Sequence, residues 1–200
     1  MLDLPLTIVR ETEQSKEFEV EMPTILQIGT MQNKNVVNLA KALRGLRVKL
    51  RIIGRLDADQ TASLEENEIT YDNAFDLTDA EMREEYRKTD IVVFCSTYEG
   101  FGLPIIEAQS MQKPVVTSNL SPMTETSGGA AALVDPFDTE SIRAGIQMVI
   151  SDAEYRESLI QAGLQNIERF GPKTVAARYE NLYGEILAAN SRSSSSKPNP

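Results

Sequence analysis

Short unbroken apolar runs alternate along this chain with longer stretches in which apolar residues return every three or four positions. The runs at residues 6–9, 24–28, 48–53, 91–95, 114–117 and 131–134 favour Val and Ile, and a weaker one lies at 69–71. Several lack polar alternation, as strands do when helices cover both faces of a parallel sheet. Helical spacing predicts helices over 36–46, 79–88 and 103–112. From Thr139 onward the chain reads as helix, with Ile142, Ile146, Val149 and Ile150 on one face and Leu159, Ala162 and Leu164 recurring next. Gly171-Pro172 marks a break before a last amphipathic helix over 174–189. The alternation predicts an α/β fold, a Rossmann-like parallel sheet flanked by helices, built by residues 1–189 as one domain. Residues 190–200 have nothing to bury and predict a disordered tail. The charged segment 11–21 predicts a surface loop.

Charge and composition narrow the chemistry. Thirty acidic side chains against 20 basic ones give a net charge of −10. That average field repels a nucleic-acid backbone, so no nucleic-acid partner is expected, although a local basic site for a small phosphate stays open. The chain has no histidine. Serine–histidine and cysteine–histidine catalysis are therefore excluded, together with the usual zinc sites. The single cysteine, Cys95, lies in an apolar run and reads as core. No apolar run is long enough to span a bilayer, and the first residues lack the basic start and apolar stretch of a leader. No transmembrane segment and a cytoplasmic location are the expectation.

The most informative stretch is Ser96-Thr97-Tyr98-Glu99-Gly100-Phe101-Gly102-Leu103-Pro104-Ile105-Ile106-Glu107. It leaves a buried strand and opens a helix, the place where open parallel sheets bind ligands. Gly100 and Gly102 allow the backbone close to a ligand. Pro104 suits the first helical turn, where its missing N–H is not needed. The N–H groups of Phe101, Gly102 and Leu103 are then left to point outward, and the helix dipole favours phosphate oxygens there. Glu99 lies in the loop, and Glu107 lies four residues past Leu103 on a helix whose side chains lean back toward its start. Both carboxylates border one crevice, where they suit the hydroxyls of a sugar or a ribose. Taken without the glycines, the two acids read first as a solvated loop acid and a helix-surface acid; the Gly-Phe-Gly-Leu-Pro between them changes that.

The run Glu99-Gly-Phe-Gly-Leu-Pro-Ile-Ile-Glu107 resembles the Glu-x7-Glu signature of family-4 retaining glycosyltransferases, found in the C-terminal nucleotide-sugar-binding domain of a GT-B fold. The resemblance runs from about Thr24 to Tyr183. It takes in Ile25-Leu26-Gln27-Ile28-Gly29-Thr30 with Asn33-Lys34-Asn35, the strand at Asp90–Ser96, and the stretches from Pro114, Pro122 and Gly128. It implies a hexosyl donor domain that holds a nucleotide-diphosphate sugar and transfers the sugar with retention, without a metal ion or other cofactor. Glu99 and Lys34 are the implied catalytic residues: Glu99 on the sugar hydroxyls, Lys34 on the departing diphosphate. Gly29, Thr30, Arg55, Gly100, Phe101, Gly102, Leu103 and Glu107 join them in binding the donor, with Glu107 on the ribose. Tyr71, Asn73 and Phe75 fall where the nucleobase pocket would form, and Glu125 near the donor; each reads equally as packing or an exposed turn. Asp90 and Asp135 close strand ends.

One position departs from the family pattern. An arginine commonly follows the glycine of the first strand, and this chain has Thr30. Arg55 either supplies a second positive charge or is a solvated loop residue. The resemblance also implies a partner, an N-terminal acceptor-binding domain that these residues do not match. A module that binds a nucleotide sugar without turnover is the alternative. A dinucleotide-binding domain is disfavoured, because no Gly-x-Gly-x-x-Gly follows the first strand.

Overall fold

The computed structural model describes residues 17–194; the strand expected at 6–9 and residues 195–200 lie outside the described residues. Six strands, β1 (Thr24–Ile28), β2 (Lys49–Ile53), β3 (Tyr71–Ala74), β4 (Ile91–Phe94), β5 (Val115–Ser118) and β6 (Ala132–Val134), form one sheet in the order β3-β2-β1-β4-β5-β6. Every pairing is parallel. The expected α/β architecture is therefore present.

Helices cover both faces. Alternate residues of each strand feed two separate cores: Ile25, Ile91 and Val93 pack with α1 (Val36–Leu43), α2 (Ala58–Glu66) and α6 (Thr139–Ser151). Leu26, Val92 and Phe94 pack on the other side with α3 (Asp79–Lys88), α4 (Leu103–Ser110) and α5 (Met123–Ser127). This is why the strand sequences show no polar alternation. Helix α7 (Ala153–Asn166) follows, then a 3-10 turn at Ile167–Phe170 and α8 (Pro172–Ser194).

Several segments differ from the sequence expectation, among them the short helix α5, where no helix was predicted. Helix α2 was not foreseen, because its buried residues are Gln60, Ser63 and Leu64 and its apolar pattern is faint. Its start nevertheless carries a capping box, with the Asp57 carboxylate accepting from the Gln60 N–H at 2.8 Å. Strand β3 begins at Tyr71 rather than at residue 69. Helix α8 continues to Ser194, five residues beyond the predicted end, so residues 190–194 are helical. Its apolar positions do not find a core: Tyr179, Leu182, Tyr183, Ile186 and Leu187 are all exposed. Of the charged segment, residues 17–21 form no regular element, yet half-buried Phe18 packs on the core beneath the guanidinium of Arg156, 3.8 Å from its ring centre.

Strand-end acids behave as read. Asp90 accepts from the N–H groups of Glu19 and Thr24, and Asp135 from that of Phe137. Close packing of α6 on β6 depends on Gly145, where a Cβ would lie 2.4 Å from Val134 Cγ1. Gly145→Ala should therefore lower stability in chemical denaturation: the overpacking costs about 1–3 kcal/mol, more than the helix-propensity gain of about 1 kcal/mol. Gly184→Ala in α8, where nothing lies within 4 Å, should show the propensity gain alone.

Candidate functional site

The strand order reverses direction between β1 and β4, so the loops that leave these neighbours diverge to opposite faces and open a crevice at their carboxyl ends. The first loop begins at Gly29, whose φ of +86° favours glycine, and a Cβ there would lie 2.9 Å from Lys34 Cε. Lacking it, Gly29 lets the lysine stem fold across the turn. Buried Gln27 holds the turn from below, its Nε2 donating to the carbonyls of Gly29 at 3.2 Å and Lys34 at 3.1 Å. Asn35 fastens its end, donating through Nδ2 to Cys95 O at 3.0 Å and Pro136 O at 2.7 Å.

The second loop is bound to the first. Thr97 N–H donates to Asn33 O at 2.9 Å, and Asn33 Nδ2 donates to Tyr98 O at 2.7 Å and Glu99 Oε1 at 3.3 Å. Across this seam Lys34 Nζ meets Glu99 Oε1 at 2.6 Å, with the two side chains only 17% and 13% exposed. The ammonium also lies 4.7 Å from the centre of the Phe94 ring. Glu99 Oε2 accepts nothing among the described residues. Gly102, with φ of +94°, turns the chain into α4, and Pro104 lies in its first turn. The N–H groups of Phe101, Gly102 and Leu103 have no acceptor among the described residues, and the space beside Gly100 is open. These are donors awaiting an acceptor, at the positive end of a helix.

Glu107 receives a partner that no sequence pattern announced. Tyr86, buried on α3, donates its hydroxyl to Glu107 Oε2 at 2.6 Å. Burial first, and then the nearby Glu107 charge, push the Tyr86 hydroxyl well above its ordinary range, so it stays a donor at neutral pH. The hint in the sequence was a lone aromatic among charged neighbours, and Tyr86 is the only buried residue of α3. Glu107 Oε1 stays free of partners among the described residues.

Other expected residues have different occupations. Thr30 donates its hydroxyl to Arg55 O at 2.7 Å, and its backbone carbonyl accepts from Gln60 Nε2 at 2.6 Å, which ties it to the loop after β2 and to α2. The Arg55 guanidinium pairs with Asp76 and stacks 3.9 Å from the Phe75 ring centre, so its charge is engaged away from Lys34. Asn73 Nδ2 serves the carbonyls of Ile52 and Gly54, and Tyr71 packs against the core. Glu125 accepts from Ser121 at 3.0 Å on the surface.

Two buried polar side-chain atoms lack a partner among the described residues, Gln27 Oε1 and Ser96 Oγ, and they lie at the carboxyl ends of β1 and β4 that flank the crevice. Cys95 beside them is inert as a nucleophile, because burial pushes its thiol up to about 12. The site therefore offers one half-buried cation, two carboxylates with a free oxygen each, and three unpaired amides. Such a set can hold a diphosphate and the hydroxyls attached to it. Among the described residues no helix is long and apolar enough to cross a membrane.

Known proteins carry the same architecture. Sucrose-phosphate synthase from Thermosynechococcus elongatus superposes with a TM-score of 0.71 at 22% identity, over 86% of this chain and 47% of that one. In sequence, the O-antigen chain mannosyltransferase B of Escherichia coli is 37% identical over 98 residues, which cover 49% of this chain and 26% of that protein. The capsular polysaccharide biosynthesis glycosyltransferase CapM of Staphylococcus aureus is 27% identical over 152 residues, 72% of this chain and 40% of that protein. The chain thus spans less than half the length of these relatives. The model of glycosyl transferases group 1 matches residues 9–166, and the chain belongs to that family.

Proposed function

We propose that this domain binds a nucleoside-diphosphate sugar in the crevice between β1 and β4 and, with an acceptor-binding domain, transfers the sugar with retention. The observation that carries the reading is the junction of Lys34, Glu99 and the unpaired amides of Phe101–Leu103 at the strand reversal. A lysine ammonium has three donors, and one is taken by Glu99. The other two face a diphosphate beside the helix-end amides, where negative charge grows as the glycosidic bond breaks. Lys34 and the amides do this without a metal ion. Glu99 Oε2 accepts from the sugar hydroxyls and Glu107 Oε1 from the ribose. Mannose is the first sugar to test, because mannosyltransferases stand among the relatives. The acceptor binds outside this crevice, on a separate acceptor-binding domain.

A second reading rests on Thr30 and Arg55. Where the family commonly has an arginine, Thr30 ties loops together, and Arg55 is held by Asp76. A site with Lys34 as its cation stabilises a leaving diphosphate less, which suits a module that binds the donor without turnover. Transfer assays with mannosyl and glucosyl donors, with and without an added acceptor-binding domain, separate the two. Retained-configuration product only when the domain is present supports the first; saturable donor binding with no product supports the second.

Calorimetry with UDP and GDP tests the site itself. Lys34→Ala should weaken the preferred nucleotide by about 1.5–3 kcal/mol, the range for hydrogen bonds to a charged group; unchanged affinity removes Lys34 from the site. Glu107→Gln should weaken binding as well. Tyr86→Phe should follow it with a smaller loss, about 0.5–1.5 kcal/mol, since it removes a hydrogen bond that orients the carboxylate. A Tyr86→Phe protein that binds like wild type shows that Glu107 needs no such orientation.

A further inference from the structure

Behind the loop, on the side away from the crevice, lies a buried polar cluster that the function above does not use. Thr126 of α5, 3% exposed, donates its hydroxyl to Phe101 O at 2.6 Å. Thr126 O in turn accepts from Asn166 Nδ2 at 2.8 Å, at the end of α7. The Asn166 amide is used at every position: Nδ2 also donates to Gln109 Oε1 at 2.8 Å, and Oδ1 accepts from Arg169 Nη1 at 2.6 Å. Gln109 Nε2 completes the set on the carbonyls of Ser127 and Ala130, both at 3.2 Å. Gly128 makes room, since a Cβ there would lie 2.0 Å from Asn166 Oδ1. The Phe101 ring meets Phe170 edge to face at 5.7 Å, a second anchor from the same region.

The consequence lies in one peptide unit. The carbonyl of Phe101 and the N–H of Gly102 belong to the same planar trans peptide and point in opposite directions. A hydroxyl that holds the carbonyl from behind therefore aims the N–H forward, to the crevice side. Without it, the peptide that joins Phe101 to Gly102 loses its direct hold: it turns about Phe101 ψ and Gly102 φ, and the glycine leaves the second of these permissive. We propose that Thr126 and Asn166 are positioning residues that set the direction of the Gly102 amide, and through it the strength of anion binding. This rests on the nucleotide reading above for its functional meaning, but the aimed amide is a property of the free protein. A buried polar network in which every member is satisfied has the rigidity such a role demands.

The test compares Thr126→Val, which keeps the shape and removes the hydroxyl, with Thr126→Ser, which keeps the hydroxyl, and with Asn166→Ala. Backbone 15N relaxation in the free protein reads the order of the Gly102 amide, and calorimetry with UDP and GDP reads binding. Thr126→Val and Asn166→Ala should lower the Gly102 order parameter and weaken the nucleotide about fivefold, the size of one lost hydrogen bond. Thr126→Ser should restore both. A Gly102 amide as ordered in Thr126→Val as in wild type overturns the proposal, even if the melting temperature falls. A wild-type protein that binds neither nucleotide, with Gly102 still loosened by Thr126→Val, overturns the nucleotide reading and leaves the positioning role standing.

Discussion

A parallel sheet delivers the chain to the same end after every strand, so all loops that follow strands gather along one edge. When the order then reverses between β1 and β4, the two central loops leave on opposite faces, and no helix can cover the gap between them. The crevice is thus a consequence of topology before any side chain is considered. What the side chains add is a seam. Asn33, Lys34, Thr97, Tyr98 and Glu99 close hydrogen bonds across the gap and hold the two loops at fixed spacing.

That seam also resolves an electrostatic conflict. A protein carrying ten net negative charges repels anions at long range, and salt screens this beyond about 8–10 Å. For the anion proposed above, the local donors of the crevice decide instead. Lys34 is only partly exposed, so its charge is screened less than that of a surface lysine, and Glu99 holds it in place without using all its protons. The unpaired amides contribute at no cost in side-chain order, because the backbone is already placed. Arg55 illustrates the contrast: exposed and paired with Asp76, it contributes little to the crevice field.

The groups that border the crevice are held in place by residues behind them. Tyr86 fixes one oxygen of Glu107 from α3, and the Thr126–Asn166–Gln109 cluster grips the signature loop from α5 and α7. Both supports are buried, where an unpaired polar group is expensive and a paired one is held firmly. Gly128 and Gly163 belong to the same design, since a Cβ at either would press on Asn166 or Gln109.

The order of strands and helices was legible in the sequence, as were the Glu99–Glu107 loop, the glycines around it and the lysine after β1. Each is written in a local pattern: short unbroken apolar runs against a period of 3.6, a glycine where φ is positive, a proline in the first helical turn. Helix α2 escaped because its buried face is polar, and its one local signal was the Asp57–Gln60 cap. The remainder was not written locally at all. Whether Arg55 joins Lys34 or pairs with Asp76 depends on the bend after β3, and whether Thr30 meets a ligand or Arg55 O depends on β1 lying beside β2. Tyr86 and Glu107 lie 21 residues apart, and Phe101 and Thr126 lie 25 apart. These pairs meet because α3, α4 and α5 share one face of the sheet, and the face a helix takes is settled by strand order and packing, not by the spacing of its own residues.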